Sequence, residues 1–283
     1  MRKSITRSIV ALLAALALSQ IAMAQGRGGR GAVPDGFIRE GVPAMPNPPG
    51  PAPRRDLSGA WVGPNNYTIG PIPDLTPAGE ARFKLNHRYL GFDVSKGDAI
   101  PASNDPFITC DPLGFPRNLV AHAISQRGGV LFGSAPNRII IAYEQQRVWR
   151  EIWMDGRALP KQVDAKGAPE SRYYGHSVGR WDGDYTLVID TTGVDERPWL
   201  YEEGYPRSSS ALIQERYTRV DQYNIQFTVT VDDPKFYTKP FQFMKANLYW
   251  MKDQMFAETF CIPSEGIEYR DSITGPSGIK VLP

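Results

Sequence analysis

Only two cysteines and three histidines occur in 283 residues, and their spacing leaves little room for metal chemistry. Neither a C-x-x-C nor an H-E-x-x-H pattern is present. His87, His122 and His176 stand far apart, so a histidine-only site would need all three to converge. Also lacking are a nucleophile elbow, a P-loop, a dinucleotide fingerprint and the internal repeat of a propeller. No cofactor and no metal are expected. Charge of one sign is equally scarce, with 32 Lys and Arg against 30 Asp and Glu. That balance gives no electrostatic case for binding nucleic acid.

One apolar run stands out, and it is too short to span a bilayer. Residues 9–18 carry no charge, follow Arg2, Lys3 and Arg7, and precede Ala22-Met23-Ala24. This pattern reads as a signal peptide over residues 1–24, with export to the periplasm or beyond the cell. Its removal takes the formal net charge from +2 to −1. No cysteine near the cleavage site suggests a lipid anchor, and no other stretch is long and apolar enough for a membrane helix. Residues 25–55 hold seven glycines and seven prolines, the composition of a disordered linker. Residues 56–283 are then one domain, large enough to bury a full core. In an oxidising compartment Cys110 and Cys261 most simply form one disulfide.

What is abundant is β-strand patterning. The segment GHSVGRWDGDYTLVIDTT, residues 175–192, reads as a hairpin turning at Asp182-Gly183. A two-residue turn there sets Trp181 opposite Asp184 and puts His176 and Val178 on one face with Leu187 and Ile189. Ser177, Val188 and Asp190 take the other. Strands are also expected over residues 138–144, 147–154, 211–220, 223–231, 241–251 and 254–261. Tyr223, Ile225, Phe227, Val229 and Val231 alternate with polar residues, as in a half-buried antiparallel strand. A strand at Trp61, within Gly59-Ala60-Trp61, resembles the G-x-W of lipocalin-type barrels. Thr76-Pro77 opens one short helix, expected to run through Glu80, Phe83 and Leu85. The expected fold is mostly β, an antiparallel meander closed into a calycin-like barrel of about eight to ten strands, with a short helix at one end.

Polar residues on barrel-facing positions are the informative ones, because burying them without partners costs free energy. With a tight turn at Gln145-Gln146, Tyr143 and Arg150 share the face of Ile139, Ile141, Val148 and Ile152. An arginine on an apolar face implies a carboxylate, and the candidates are Asp155, Asp190 and Glu215. In the run ending in Glu215-Arg216 the pattern favours Glu215 inward. Arg117 ends a stiff loop, where a guanidinium could hold a ligand oxygen. Trp153, Tyr174 and Trp181 are the candidate aromatic contacts for a ligand.

The segments YYGHSVGRWDGDYTLVIDTTG, EQQRVWREIWMDGRALP, ERYTRVD and CDPLGFPR resemble a widespread family of secreted bacterial proteins, mostly without assigned function. The resemblance implies a calycin-like barrel with an interior site. In that family the second hairpin strand typically reads GDTLVVDT, so Tyr185 is an insertion here. The family's Pro-His-Ser is Pro206-Arg207-Ser208 in this chain. Two functions of the barrel are left open, beside an envelope-associated interaction through residues 25–55. One is a cofactor-independent lyase or hydrolase acting on a small aromatic or apolar compound, a lignin-type aryl ether being one suitable class. In it, Asp190, Glu215 or His176 would take a proton, and Arg117 or Arg150 with Tyr143 would stabilise an oxyanion. The other is a non-catalytic binding or carrier protein with the same barrel. The sequence leaves oligomeric state undetermined.

Overall fold

The computed structural model describes residues 48–62, 67–86, 104–124, 129–251, 256, 261–264 and 268. Its sheet closes on itself where Trp61 of strand β1 (Gly59–Val62) lies opposite Trp250 of β10 (Phe241–Trp250). Between these run β3 (Gly129–Ala135), β4 (Arg138–Tyr143), β5 (Val148–Trp153), β6 (His176–Asp182), β7 (Thr186–Thr192), β8 (Leu212–Arg219) and β9 (Asn224–Asp232), each paired with the next. The result is a closed, calycin-like barrel of nine strands. A short tenth strand, β2 (Thr68–Ile69), pairs with β10 from outside the ring.

Side-chain alternation shows why these segments are strands. In β9, Ile225, Phe227, Val229 and Val231 are buried while their neighbours are partly exposed or exposed. Such a period of two lets one face fill the interior and the other meet water. Trp61 is fully buried, its Nε1–H donates to the Leu57 carbonyl at 2.8 Å, and the Arg219 guanidinium lies 4.9 Å from its ring centre. Helix α1 (Pro77–Phe83) starts as expected, with Thr76 Oγ1 accepting from Gly79 N–H at 3.1 Å. It stops before Leu85, which is 60% exposed. The disulfide between Cys110 and Cys261 is present, with Cα atoms 5.5 Å apart.

Four expectations are corrected. First, the meander is not wholly antiparallel: β5 and β6 run parallel, because residues 154–175 cross over before the chain re-enters the sheet. Second, β3 and a second helix, α2 (Arg117–Ile124), were not anticipated. The strand expected at 254–261 lies largely outside the described residues. Third, the β6–β7 turn has three residues, 183–185, so Asp182 pairs with Thr186 and Trp181 with Leu187. Tyr185 supplies the extra residue. Ser177 and Trp181 therefore share the face of Leu187, Ile189 and Thr191, and His176 and Val178 turn outward. Fourth, the described residues just before Asp56 are tied to the barrel. Gly50 exchanges hydrogen bonds with Gln222, and the Arg55 amide donates to the Asp184 carbonyl at 2.6 Å. The expected leader and most of the expected linker lie outside the described residues.

Candidate functional site

Because β4 and β5 turn at residues 145–147, Ile141 pairs with Arg150, and Tyr143 and Arg150 both point into the barrel. The inward face of β8 brings Glu215 and Tyr217 to the same level. Arg150 Nη1 donates to Glu215 Oε1 at 3.2 Å and Nη2 to Oε2 at 2.9 Å, and the Tyr217 hydroxyl donates to Oε1 at 2.7 Å. Nη1 also donates to the Tyr143 hydroxyl, and Nη2 to Ser177 Oγ and Thr191 Oγ1. The Phe115 ring covers the guanidinium, its centre 3.8 Å from Cζ. Fully buried Glu215 thus holds an almost fully buried arginine through a bidentate pair.

Electrostatics follow from that enclosure. Burial works against the Arg150 charge, but Glu215, with help from Tyr143, outweighs it and holds the guanidinium above its ordinary range. Burial pushes the Tyr143 phenol up to about 12, and Tyr217 rises through burial and the neighbouring Glu215 charge. Both phenols remain hydrogen-bonding hydroxyls at neutral pH.

A second buried guanidinium stands behind this network. Arg207 is wholly enclosed and donates to three backbone carbonyls, those of Phe115 at 2.6 Å, Asp195 at 3.1 Å and Tyr173 at 3.5 Å. Burial lowers its pKa to about 9. Gly114, at φ +68°, makes room for it: a Cβ there would sit 2.2 Å from Arg207 Nη2. The CDPLGFPR loop is therefore a lid on the Arg150 network, with Arg207 fastening it to the 173–195 region.

The wall opens at the parallel seam. β5 and β6 are joined only through Ile152↔Ser177 and Trp153↔Val178, leaving Trp149, Arg150 and Glu151 without a β6 partner. A cleft of about 370 Å³ lies there, lined by Trp149, Arg150, Trp153, Arg157, Arg172, Tyr173, Tyr174, His176 and Ser177, among others. Trp153 has its ring between Arg157, 3.5 Å from Cζ to ring centre, and Arg138, at 3.9 Å. Trp149 is 60% exposed. The Tyr174 hydroxyl is buried without a hydrogen-bond partner, and burial raises its pKa. His176 reaches the Glu170 carbonyl at 2.9 Å through Nε2. A carbonyl only accepts, so Nε2 carries the proton and a neutral ring keeps its lone pair on Nδ1.

The structure thus unites Tyr143, Arg150 and Glu215, and collects Trp153, Tyr174 and His176 around the adjoining cleft. It separates the others. Asp190 faces outward, on the side of β7 opposite Leu187 and Ile189, ion-paired with Arg180 and accepting from Gln214 Nε2 at 2.8 Å. His176 is likewise not in the interior network. Arg117 opens α2 and is held by Asp105 at 2.7 and 2.5 Å, between Phe107 and Trp199, so it offers nothing to a ligand at a rim. Trp181 packs into the core instead of lining the cleft. Sequence reasoning missed Ser177 and Thr191 as partners of Arg150 and Tyr217 as a partner of Glu215; a correct β6 register would have revealed the first two. Among the described residues no group of three or more His, Cys, Asp or Glu side chains is placed to hold a metal ion, and no helix is long and apolar enough to cross a membrane.

A scan against protein-family models and a search of curated proteins match nothing.

Proposed function

We propose that this chain is an exported barrel that binds a small aromatic compound in the cleft between β5 and β6. The observation that carries the reading is the cleft itself: about 370 Å³, aromatic-walled, and reaching a buried charged network. Small-molecule sites commonly occupy roughly 300–1,000 Å³ with mostly apolar walls and a few placed polar groups. The disulfide agrees with an oxidising compartment, and the resemblance to secreted bacterial proteins points the same way. Titrating the purified chain with single-ring aromatics, followed by tryptophan fluorescence and calorimetry, tests it. Saturable binding that Trp149→Ala weakens supports the reading; binding by no member of the panel overturns it.

One observation favours a second reading, a cofactor-independent lyase or hydrolase acting on such a compound, for instance a lignin-type aryl ether. His176 is oriented by the Glu170 carbonyl and shares the cleft with the unpartnered Tyr174 hydroxyl. The imidazole would take a substrate proton and Tyr174 would donate to the departing oxygen. Asp190 has no part in this version, and Glu215 serves to hold Arg150. Dimeric aryl ethers incubated with wild type and His176→Ala, with products separated by chromatography, decide between the readings. Unchanged recovery of ligand leaves binding alone.

A further inference from the structure

We infer that the occupant of the β5–β6 cleft is an aromatic anion of single-ring size, an aryl carboxylate, whose charge is met by Arg172 and whose oxygen is met by Tyr174. The inference rests on the binding reading and adds the charge of the ligand to it.

The argument is one of pairing. Four charged side chains named at the cleft are Arg150, Glu151, Arg157 and Arg172. Arg150 is neutralised by Glu215 at 2.9 Å, Glu151 by Arg138 at 2.5 Å, and Arg157 by Asp155 at 2.6 Å. Arg172 is different. Its backbone is fixed, with N–H donating to the Gly193 carbonyl at 3.0 Å and its carbonyl accepting from Asp195 N–H at 2.8 Å. Its guanidinium is exposed and has no hydrogen bond or ion pair among the described residues. One cation at the cleft is therefore left without a carboxylate.

The uncharged polar groups point the same way. Two lining residues keep buried polar atoms with no partner, Arg150 Nε and the Tyr174 hydroxyl. Arg150 Nε–H can only donate, and the Tyr174 phenol has a proton to give. Arg150 is almost wholly enclosed, with its side chain 2% exposed, so an unmade bond there costs more than at a surface. An acceptor-rich ligand entering the cleft can take the Tyr174 proton, whereas a cationic one would face the unpaired Arg172. For the ring, Trp149 is the open platform, because both faces of Trp153 are already taken by Arg138 and Arg157. A benzene ring carrying one carboxylate matches this set.

The test is calorimetric titration of the full mature chain with benzoate, benzyl alcohol and benzylamine, which share a ring and differ in charge. Benzoate is expected to bind about ten-fold tighter than benzyl alcohol, the size of effect of one charge-assisted contact, with benzylamine weakest. Arg172→Gln should erase most of the benzoate preference while leaving benzyl alcohol within about two-fold, since the exposed side chain supports no fold contact. Tyr174→Phe should weaken benzoate more than benzyl alcohol, and circular dichroism confirms that each variant is folded. Equal binding of all three ligands, a preference for benzylamine, or a benzoate preference untouched by Arg172→Gln overturns the inference. If benzyl alcohol binds and benzoate does not, the charge assignment alone fails. If no ligand binds, the cleft reading fails with it.

Discussion

Arg150 and Glu215 lie 65 positions apart in sequence and meet inside the barrel through two hydrogen bonds of 3.2 and 2.9 Å. Neither residue touches solvent to any useful extent, so each is the condition for burying the other. Removing one partner strands a charge in a medium that solvates it poorly. Arg150→Met or Glu215→Leu alone is expected to cost about 3–5 kcal/mol, whereas the double substitution recovers much of that loss because the desolvation cost goes with the charges. Urea unfolding of the four proteins measures the cycle. Additive losses in the double variant would contradict a direct pair.

The β6–β7 turn is set by backbone geometry. Gly183 has φ +70°, and a Cβ added there meets nothing within 4 Å, so only conformation opposes a side chain. Gly183→Ala should destabilise the chain by about 1 kcal/mol, and Gly183→Asn by less, since asparagine tolerates the left-handed region. Thermal unfolding of the two variants should rank them in that order.

Cys110 and Cys261 close a loop of 151 residues. A cross-link of that span restricts the unfolded chain strongly, and its loss is expected to cost about 2–5 kcal/mol. Cys110→Ser/Cys261→Ser should melt well below wild type under non-reducing conditions, and the two should converge when wild type is reduced.

Acid weakens a specific tie. Burial tends to raise the pKa of Glu196, but the Ser209 amide and Lys235 outweigh it and hold the carboxyl below its ordinary 4.5. A depressed folded pKa contributes stability above the ordinary value and loses it as pH falls through the folded one. With its side chain 37% exposed, the contribution is screened to about 0.5–1 kcal/mol. The stability gap between wild type and Glu196→Gln should therefore be open at pH 7 and shrink steadily below about pH 4.5. A gap that is constant with pH would exclude the carboxylate as its source.

Alternation made several features legible beforehand. The inward positions of Arg150, Tyr143 and Glu215 follow from a period of two along single strands, read against the apolar neighbours Ile139, Ile141, Ile213 and Tyr217. The Thr76 cap, the closed β architecture and the pairing of the two cysteines were legible for similar reasons, being local in pattern or forced by count. His176 was not. Its placement depends on whether the turn holds two residues or three, and Tyr185 inverts β6 while leaving its pattern unchanged.

The amino-acid sequence by itself determined that this chain builds a closed β barrel and that an arginine inside it needs an acid, because period and polarity are properties of each strand alone. Tertiary structure decided which acid, and that Arg117 belongs to Asp105 instead of a ligand. It also decided that the wall parts beside Arg150. A parallel join between β5 and β6 follows from where a 154–175 crossover lands, and such a landing is set by packing of distant segments that no local pattern encodes.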